Sequence, residues 1–181
     1  MAEILLGCGS SRIKKLYLAG HEEWDGLVTV DFADTHNPDI VHDIAQLPLP
    51  FPDDYADEIH AYEVMEHVGQ QGDWQFFFAQ WSDLWRILKP GGRFFGTSPH
   101  WSSPWAWGDP GHTRIVGAEQ LYYLSQPNYE QVGKTPMTDY RFCYEADFDL
   151  THTKKTDLGQ FEYVLQAVKP SRIAKVTHGI G

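Results

Sequence analysis

The sequence predicts an α/β fold: a mostly parallel sheet with helices on both faces, closed by a C-terminal antiparallel hairpin. Three observations predict it. Apolar strand-like runs alternate with helical stretches through the first hundred residues. Glycines and acids stand at the carboxyl ends of those runs, where parallel sheets bind their ligands. Two further strand-like runs near the C-terminus flank a short polar turn.

Each element has its own signature. Residues 3–7 read as a short buried strand broken by Gly7-Cys8-Gly9. Ser10 or Ser11 is placed to cap a helix over 11–19 that ends at Gly20. Leu27 to Asp31 is a β-branched strand ending in an acid, and Asp39 to Asp43 is a shorter one. The prolines at 48, 50 and 52 make residues 46–54 a loop. Ala56 to Tyr62 reads as a fourth strand. Trp74, Phe77, Phe78, Trp81, Leu84, Trp85 and Leu88 form one apolar stripe, which predicts a helix over 73–88 with that stripe in the core. Lys89-Pro90-Gly91-Gly92 stops the helix and turns into a strand from Arg93 to Ser98. Residues 99–115 are a loop rich in Trp, His, Pro and Gly, and 117–125 a short helix. Arg141 to Leu150 and Phe161 to Val168 are expected to pair around Asp157-Leu158-Gly159.

The chain of 181 residues fits one domain, with a ligand-binding half over 1–98, a lid or acceptor segment over 99–139, a closing hairpin over 140–168 and a tail over 169–181. A hydrophobic fraction of 42% with 22% charged residues is that of a globular protein with a core. The net charge of −11 repels a phosphate backbone, which disfavours nucleic acid as a partner; only the stretch from Lys169 to Lys175 is locally basic. Two cysteines are too few for a disulfide framework. No apolar run reaches the ~20 residues that span a bilayer, and the N-terminus lacks the pattern of a signal peptide. A cytoplasmic protein with reduced thiols and no membrane partner is the expectation.

The candidate chemistry lies at the strand ends. Gly7 and Gly9 let backbone approach a ligand that a Cβ would obstruct. Asp31, about 20 residues beyond that turn, is placed to accept hydrogen bonds from ribose hydroxyls. Asp43 is placed to accept from an adenine amino group while an apolar neighbour packs on the ring. Tyr62-Glu63-Val64 ends the fourth strand and leads to Met65-Glu66-His67, beside the ligand cleft.

The ordered series is specific where each piece is not. Leu-Leu-Gly-Cys-Gly-Ser, Val-Asp-Phe, Val-His-Asp-Ile, Leu-Pro-Phe-Pro-Asp-Asp-Tyr-Ala-Asp-Glu-Ile, Glu-Val-Met-Glu-His and Leu-Trp-Arg-Ile-Leu-Lys-Pro-Gly-Gly-Arg-Phe follow one another over residues 3–99. The series resembles class I S-adenosylmethionine-dependent methyltransferases, nearest to the small methyltransferase domain 11 type. The resemblance implies a Rossmann-like seven-stranded sheet with a reversed final hairpin. It implies S-adenosylmethionine as cofactor and S-adenosylhomocysteine as product. Gly7, Cys8 and Gly9 would back its methionine and ribose. Asp31 would hold the ribose hydroxyls, Phe32 would flank the adenine, and Asp43 with Ile44 would meet its edge and face. Tyr62, Glu63 and His67 would line the methyl-donor side. Leu5 stands where the family often has an acid, and Ser11 where it often has a third glycine. The Lys-Pro-Gly-Gly turn and the Glu-His pair separate the chain from nicotinamide-dependent oxidoreductases.

On the acceptor side, the 99–115 loop carries three tryptophans that suit stacking on a ring, sugar or cation. His67, His100 and His112 are the candidate catalytic residues, with Asp109 a further candidate base. His100, Asp109 and His112 match no metal-binding spacing, so no metal site is expected. The resemblance points to methyl transfer to an acceptor the sequence does not identify, with a small molecule expected. The other reading is a non-catalytic methyltransferase-like scaffold or partner subunit. The family usually has one or two helices before the first strand; here a second copy of the chain, in a homodimer, is the expected cover for the pocket.

Overall fold

In the computed structural model, which describes residues 1–173, the core is one seven-stranded sheet. Its strands are β1 (Glu3–Leu6), β2 (Leu27–Asp31), β3 (Ile40–Val41), β4 (Ala56–Tyr62), β5 (Leu88–Pro99), β6 (Phe148–Lys155) and β7 (Gln160–Ala167). They lie in the order β3-β2-β1-β4-β5-β7-β6. The first five pair in parallel, and β7 returns antiparallel to both β5 and β6. This is the α/β sheet with a reversed hairpin that the alternation of elements predicts. The order reverses direction at β1, so a crevice opens between the carboxyl ends of β1 and β4.

One face of the sheet is apolar. Ile4, Val30, Ile59, Phe94 and Leu165 project from neighbouring strands and are fully buried. Helix α1 (Trp74–Ile87) covers them with most of the predicted stripe: Phe78, Trp81 and Leu84 are buried and Phe77 and Trp85 partly so, whereas Trp74 in the first turn is exposed and Leu88 already belongs to β5. Its Trp81 meets Phe94 edge-on at 5.0 Å and Phe148 at 5.8 Å, spacings at which aromatic quadrupoles attract. Asp73 caps α1 by accepting from the Phe76 amide at 3.0 Å. The Lys-Pro-Gly-Gly turn belongs to β5 itself, because Leu88 already pairs with Ala56 before an irregularity in register brings Arg93 against Glu58.

The other face holds a buried polar cluster. Lys14 Nζ lies 2.9 Å from both Glu3 and Glu58. His60 Nε2 lies 3.0 Å from Glu58, and its Nδ1 lies 2.7 Å from the Tyr62 hydroxyl. Glu58 only accepts, so the Nε2 carries the proton and Tyr62 donates to Nδ1. Burial lowers the His60 pKa, against the pull of Glu58. Burial pushes Glu58 up, but bonds from His60 and Lys14 outweigh it and hold its carboxyl below the usual range.

This cluster explains why residues 11–19 form no helix. A helix there would bond the Leu16 amide to the Arg12 carbonyl. Instead Trp24 Nε1 donates to the Arg12 carbonyl at 2.6 Å, and the Leu16 amide donates to the Tyr62 hydroxyl at 3.2 Å. Lys14 turns inward while Ile13 is 69% exposed, the reverse of the apolar-in arrangement a helix would have. Residues 141–147 likewise stand outside the hairpin strand expected from 141. The carbonyls of Tyr144 and Ala146 accept from the Gln126 side chain, so the ladder begins only at Phe148. The 99–115 loop contains a short helix α2 (Trp105–Gly108), and α3 (Ala118–Leu121) falls where a helix was expected. The expected tail over 169–181 lies outside the described residues from 174 onward. No helix among the described residues is long and apolar enough to cross a membrane.

Candidate functional site

The crevice at the carboxyl ends of the strands is a cavity of about 570 Å³. Gly7, Asp31, Phe32, Asp43, Ile44, Glu63 and His67 all line it, together with His42, Ala45, Val64 and Val68. Gly7 adopts φ +57, and a Cβ there would stand 2.5 Å from a Val64 methyl, so only glycine lets β1 and the end of β4 meet. A Cβ on Gly9 would meet no atom within 4 Å, which leaves the turn open on that side. Asp31 secures the turn. One carboxylate oxygen accepts from the Gly9 amide at 2.8 Å and the other from Ala33 at 2.9 Å. Each oxygen keeps a lone pair for a hydroxyl donor. Phe32 is 77% exposed at the lip, an apolar ring that pairs with no other aromatic ring among the described residues.

Three expected residues, Cys8, Gly9 and Tyr62, are not among those that line the cavity. The Cys8 side chain is buried and is not among the cavity's lining residues. Tyr62 is engaged with His60 and Leu16 in the polar cluster, and burial pushes its hydroxyl up to about 12. Val64 lines the cavity as its place at the end of the fourth strand predicts, while His42, Ala45 and Val68 escaped sequence reasoning; His42 and Ala45 stand within two residues of Asp43, and adjacency to that strand end was the available signal.

Glu63 has φ 57, a conformation that costs a non-glycine residue energy. Its amide donates to the Thr97 carbonyl at 2.8 Å, and Gln160 donates to its carboxylate at 3.1 Å, which holds the strained residue in place.

A second cavity of about 530 Å³ lies under the 99–115 loop and includes Trp101, Trp107, His112, Arg114 and Gln71 in its lining. The loop is fastened to the 3-10 turn Met65–His67. The Thr113 amide donates to the Glu66 carbonyl at 2.9 Å, and Arg114 Nε donates to the Met65 carbonyl at 2.8 Å. Arg114 also reaches Gln80 on α1 at 2.6 Å, and burial lowers its pKa to about 10. This fastening brings His112 to His67, with ring centroids 4.6 Å apart. His67 lines the first cavity and His112 the second, so the two cavities adjoin at this pair. Glu66 lies buried beneath; burial pushes its carboxyl up to about 7, with Glu63 acting in the same direction. His100 is not part of the group. It binds Ser102 at 2.8 Å and packs beside Trp101 and Phe161. Glu66, His67 and His112 each have a donor atom within 4.8 Å of the others, a grouping the sequence spacing does not show.

The family model described as a methyltransferase domain matches residues 5–96, just over half of the chain. The chain belongs to this family of S-adenosylmethionine-dependent methyltransferases. The methyltransferase fold recurs in solved structures of low sequence identity. One is a methyltransferase of Haloferax volcanii in complex with a methyltransferase activator, at TM-score 0.56 and 15% identity, covering 92% of this chain and 82% of that one. Another is a SAM-dependent methyltransferase of Archaeoglobus fulgidus, at TM-score 0.56 and 15% identity, covering 91% and 85%. A third, from Methanosarcina mazei, has TM-score 0.53 and 17% identity and covers 92% of each chain. No curated protein matches the chain.

Proposed function

We propose that this methyltransferase domain binds S-adenosylmethionine in the crevice and transfers its methyl group to a small molecule seated in the aromatic cavity. One observation carries the reading: two cavities, one with the residues for a nucleoside and one walled by tryptophans, adjoin at His67 and His112. The residues fit the cofactor. Asp31 offers acceptors to the ribose hydroxyls, Asp43 and Ile44 flank the place of the adenine, and Phe32 supplies a free ring for stacking. The glycine turn leaves space on the side of Gly9 for the methionine end.

When bound, the cofactor supplies an already activated methyl group, so the chain's task is largely to place the acceptor in line. His67 and His112 serve the acceptor's reacting atom. A volume of about 530 Å³ is that of a small-molecule site, and the −11 charge argues against a nucleic-acid acceptor.

Titration calorimetry with S-adenosylmethionine and S-adenosylhomocysteine tests the reading. Micromolar affinity is expected, weakened by about 1–3 kcal/mol, roughly 5- to 150-fold, in Asp31→Ala. Absence of binding at millimolar ligand would overturn it. Weight would then pass to a non-catalytic methyltransferase-like scaffold or partner subunit.

A further inference from the structure

Three side chains at the junction of the two cavities have an atom to spare, and their remaining polar atoms have partners or a near neighbour. Glu66 is 2% exposed; its Oε2 accepts from Ser98 at 2.8 Å while its Oε1 is buried with no partner among the described residues. His67 Nδ1 lies 3.0 Å from the Gly111 carbonyl, which only accepts, so that nitrogen carries the proton and Nε2 keeps its lone pair. The His112 side chain is 8% exposed; its Nε2 lies 3.9 Å from Asp109, and its Nδ1 is buried without a partner among the described residues. Leaving two such atoms buried and unbonded is unfavourable, because neither water nor protein replaces their lost hydration. One donor atom from each of the three lies within 4.8 Å of the other two.

We propose that Glu66, His67 and His112 form a site for a divalent transition-metal ion of the zinc class, with one coordination position left open to an oxygen of the methyl acceptor. Two imidazoles and one carboxylate are a donor set for zinc with an open position. An imidazole ligand ordinarily donates its other N–H to a carbonyl or carboxylate, as His67 does to Gly111. Asp109 stands ready for the same role at His112. Tetrahedral zinc sets its ligand atoms about 3.3 Å apart, so the sides of the triangle must close by up to about 1.5 Å. His67 is exposed and has room to move. Gly111 leaves that room, because a Cβ there would stand 3.2 Å from His67 Nδ1.

The place of the site gives it a purpose, which rests on the methyltransferase reading above. A hydroxyl on the open position would lose its proton to solvent more readily, because the cation stabilises the oxyanion. The acceptor class is therefore a molecule with a metal-binding hydroxyl. The test is calorimetric titration of the whole chain with Zn²⁺ and visible absorption on adding Co²⁺. One equivalent bound at micromolar affinity or better is expected, with the intense absorption of tetrahedral Co²⁺. His112→Ala and Glu66→Gln should each weaken it at least 10-fold, with His100→Ala unchanged. Circular dichroism shows whether Glu66→Gln is folded; His112→Ala, on a surface loop, decides if it is not. No binding to the wild type, or equal binding by His112→Ala, would overturn the metal site. S-adenosylhomocysteine binding is measured in parallel: its persistence without metal binding refutes this proposal alone, and its absence refutes the methyltransferase reading instead.

Discussion

Replacing Lys14 by methionine keeps the length and apolar stem of the side chain but removes the cation between two carboxylates. The Lys14, Glu3 and Glu58 side chains are 2%, 0% and 5% exposed, so little water reaches the pair left behind. Breaking a buried ion pair from one side costs about 3–5 kcal/mol. A second route gives the same size. If one ordinary glutamate carboxyl, ionising near 4.3, must take up a proton at pH 7, the cost is about 3.7 kcal/mol. For a domain of this length each kcal/mol lowers the melting temperature by roughly 2–4 °C, which gives a fall of about 8–15 °C. At pH 5 the same protonation costs only about 1 kcal/mol, so the gap between variant and wild type narrows to a few degrees. Thermal denaturation followed by circular dichroism at both pH values measures it. A fall under about 3 °C at pH 7, or one that does not shrink at pH 5, would refute the account of the polar face.

Three further outcomes are expected. Phe32→Ala leaves the melting temperature within about 2 °C, because the ring is 77% exposed, yet weakens S-adenosylhomocysteine by about 0.5–1.5 kcal/mol in calorimetry. Trp81→Ala costs about 3–5 kcal/mol in urea denaturation, whereas Trp81→Phe costs less than about 1.5 kcal/mol, since it also removes an indole N–H buried without a partner among the described residues. His60 is held neutral by burial, with its folded pKa below the ordinary 6.5. The stability this gives is present above pH 6.5 and is lost as pH falls through the folded value. His60→Gln therefore flattens the decline in stability below pH 6.5 by up to about 1.4 kcal/mol per pH unit, and parallel slopes in the two proteins would count against it.

What could be read from the sequence was local. Alternation of strands and helices, the stripe from Trp74 to Leu88, the glycine turn and the acids after β2 and β3 each depend on neighbours a few residues apart, and side-chain period or turn chemistry reports them directly. The cavity lined by Gly7, Asp31, Phe32, Asp43, Ile44, Glu63 and His67 follows, because parallel strands end at one edge. Tertiary structure decided where distant partners competed with local preference. Residues 11–19 have helical spacing, but Trp24 and Tyr62 take the very groups that helix would use. The segment after Arg141 is β-prone, yet the Gln126 amide satisfies its carbonyls first. His112 meets His67 only because Thr113 and Arg114 bind the backbone of Met65 and Glu66, nearly fifty residues away in sequence. No residue type or spacing near His112 records that contact. It exists because the fold leaves buried carbonyls and donors that must be paired, and pairing them sets the 99–115 loop against the crevice at the strand ends.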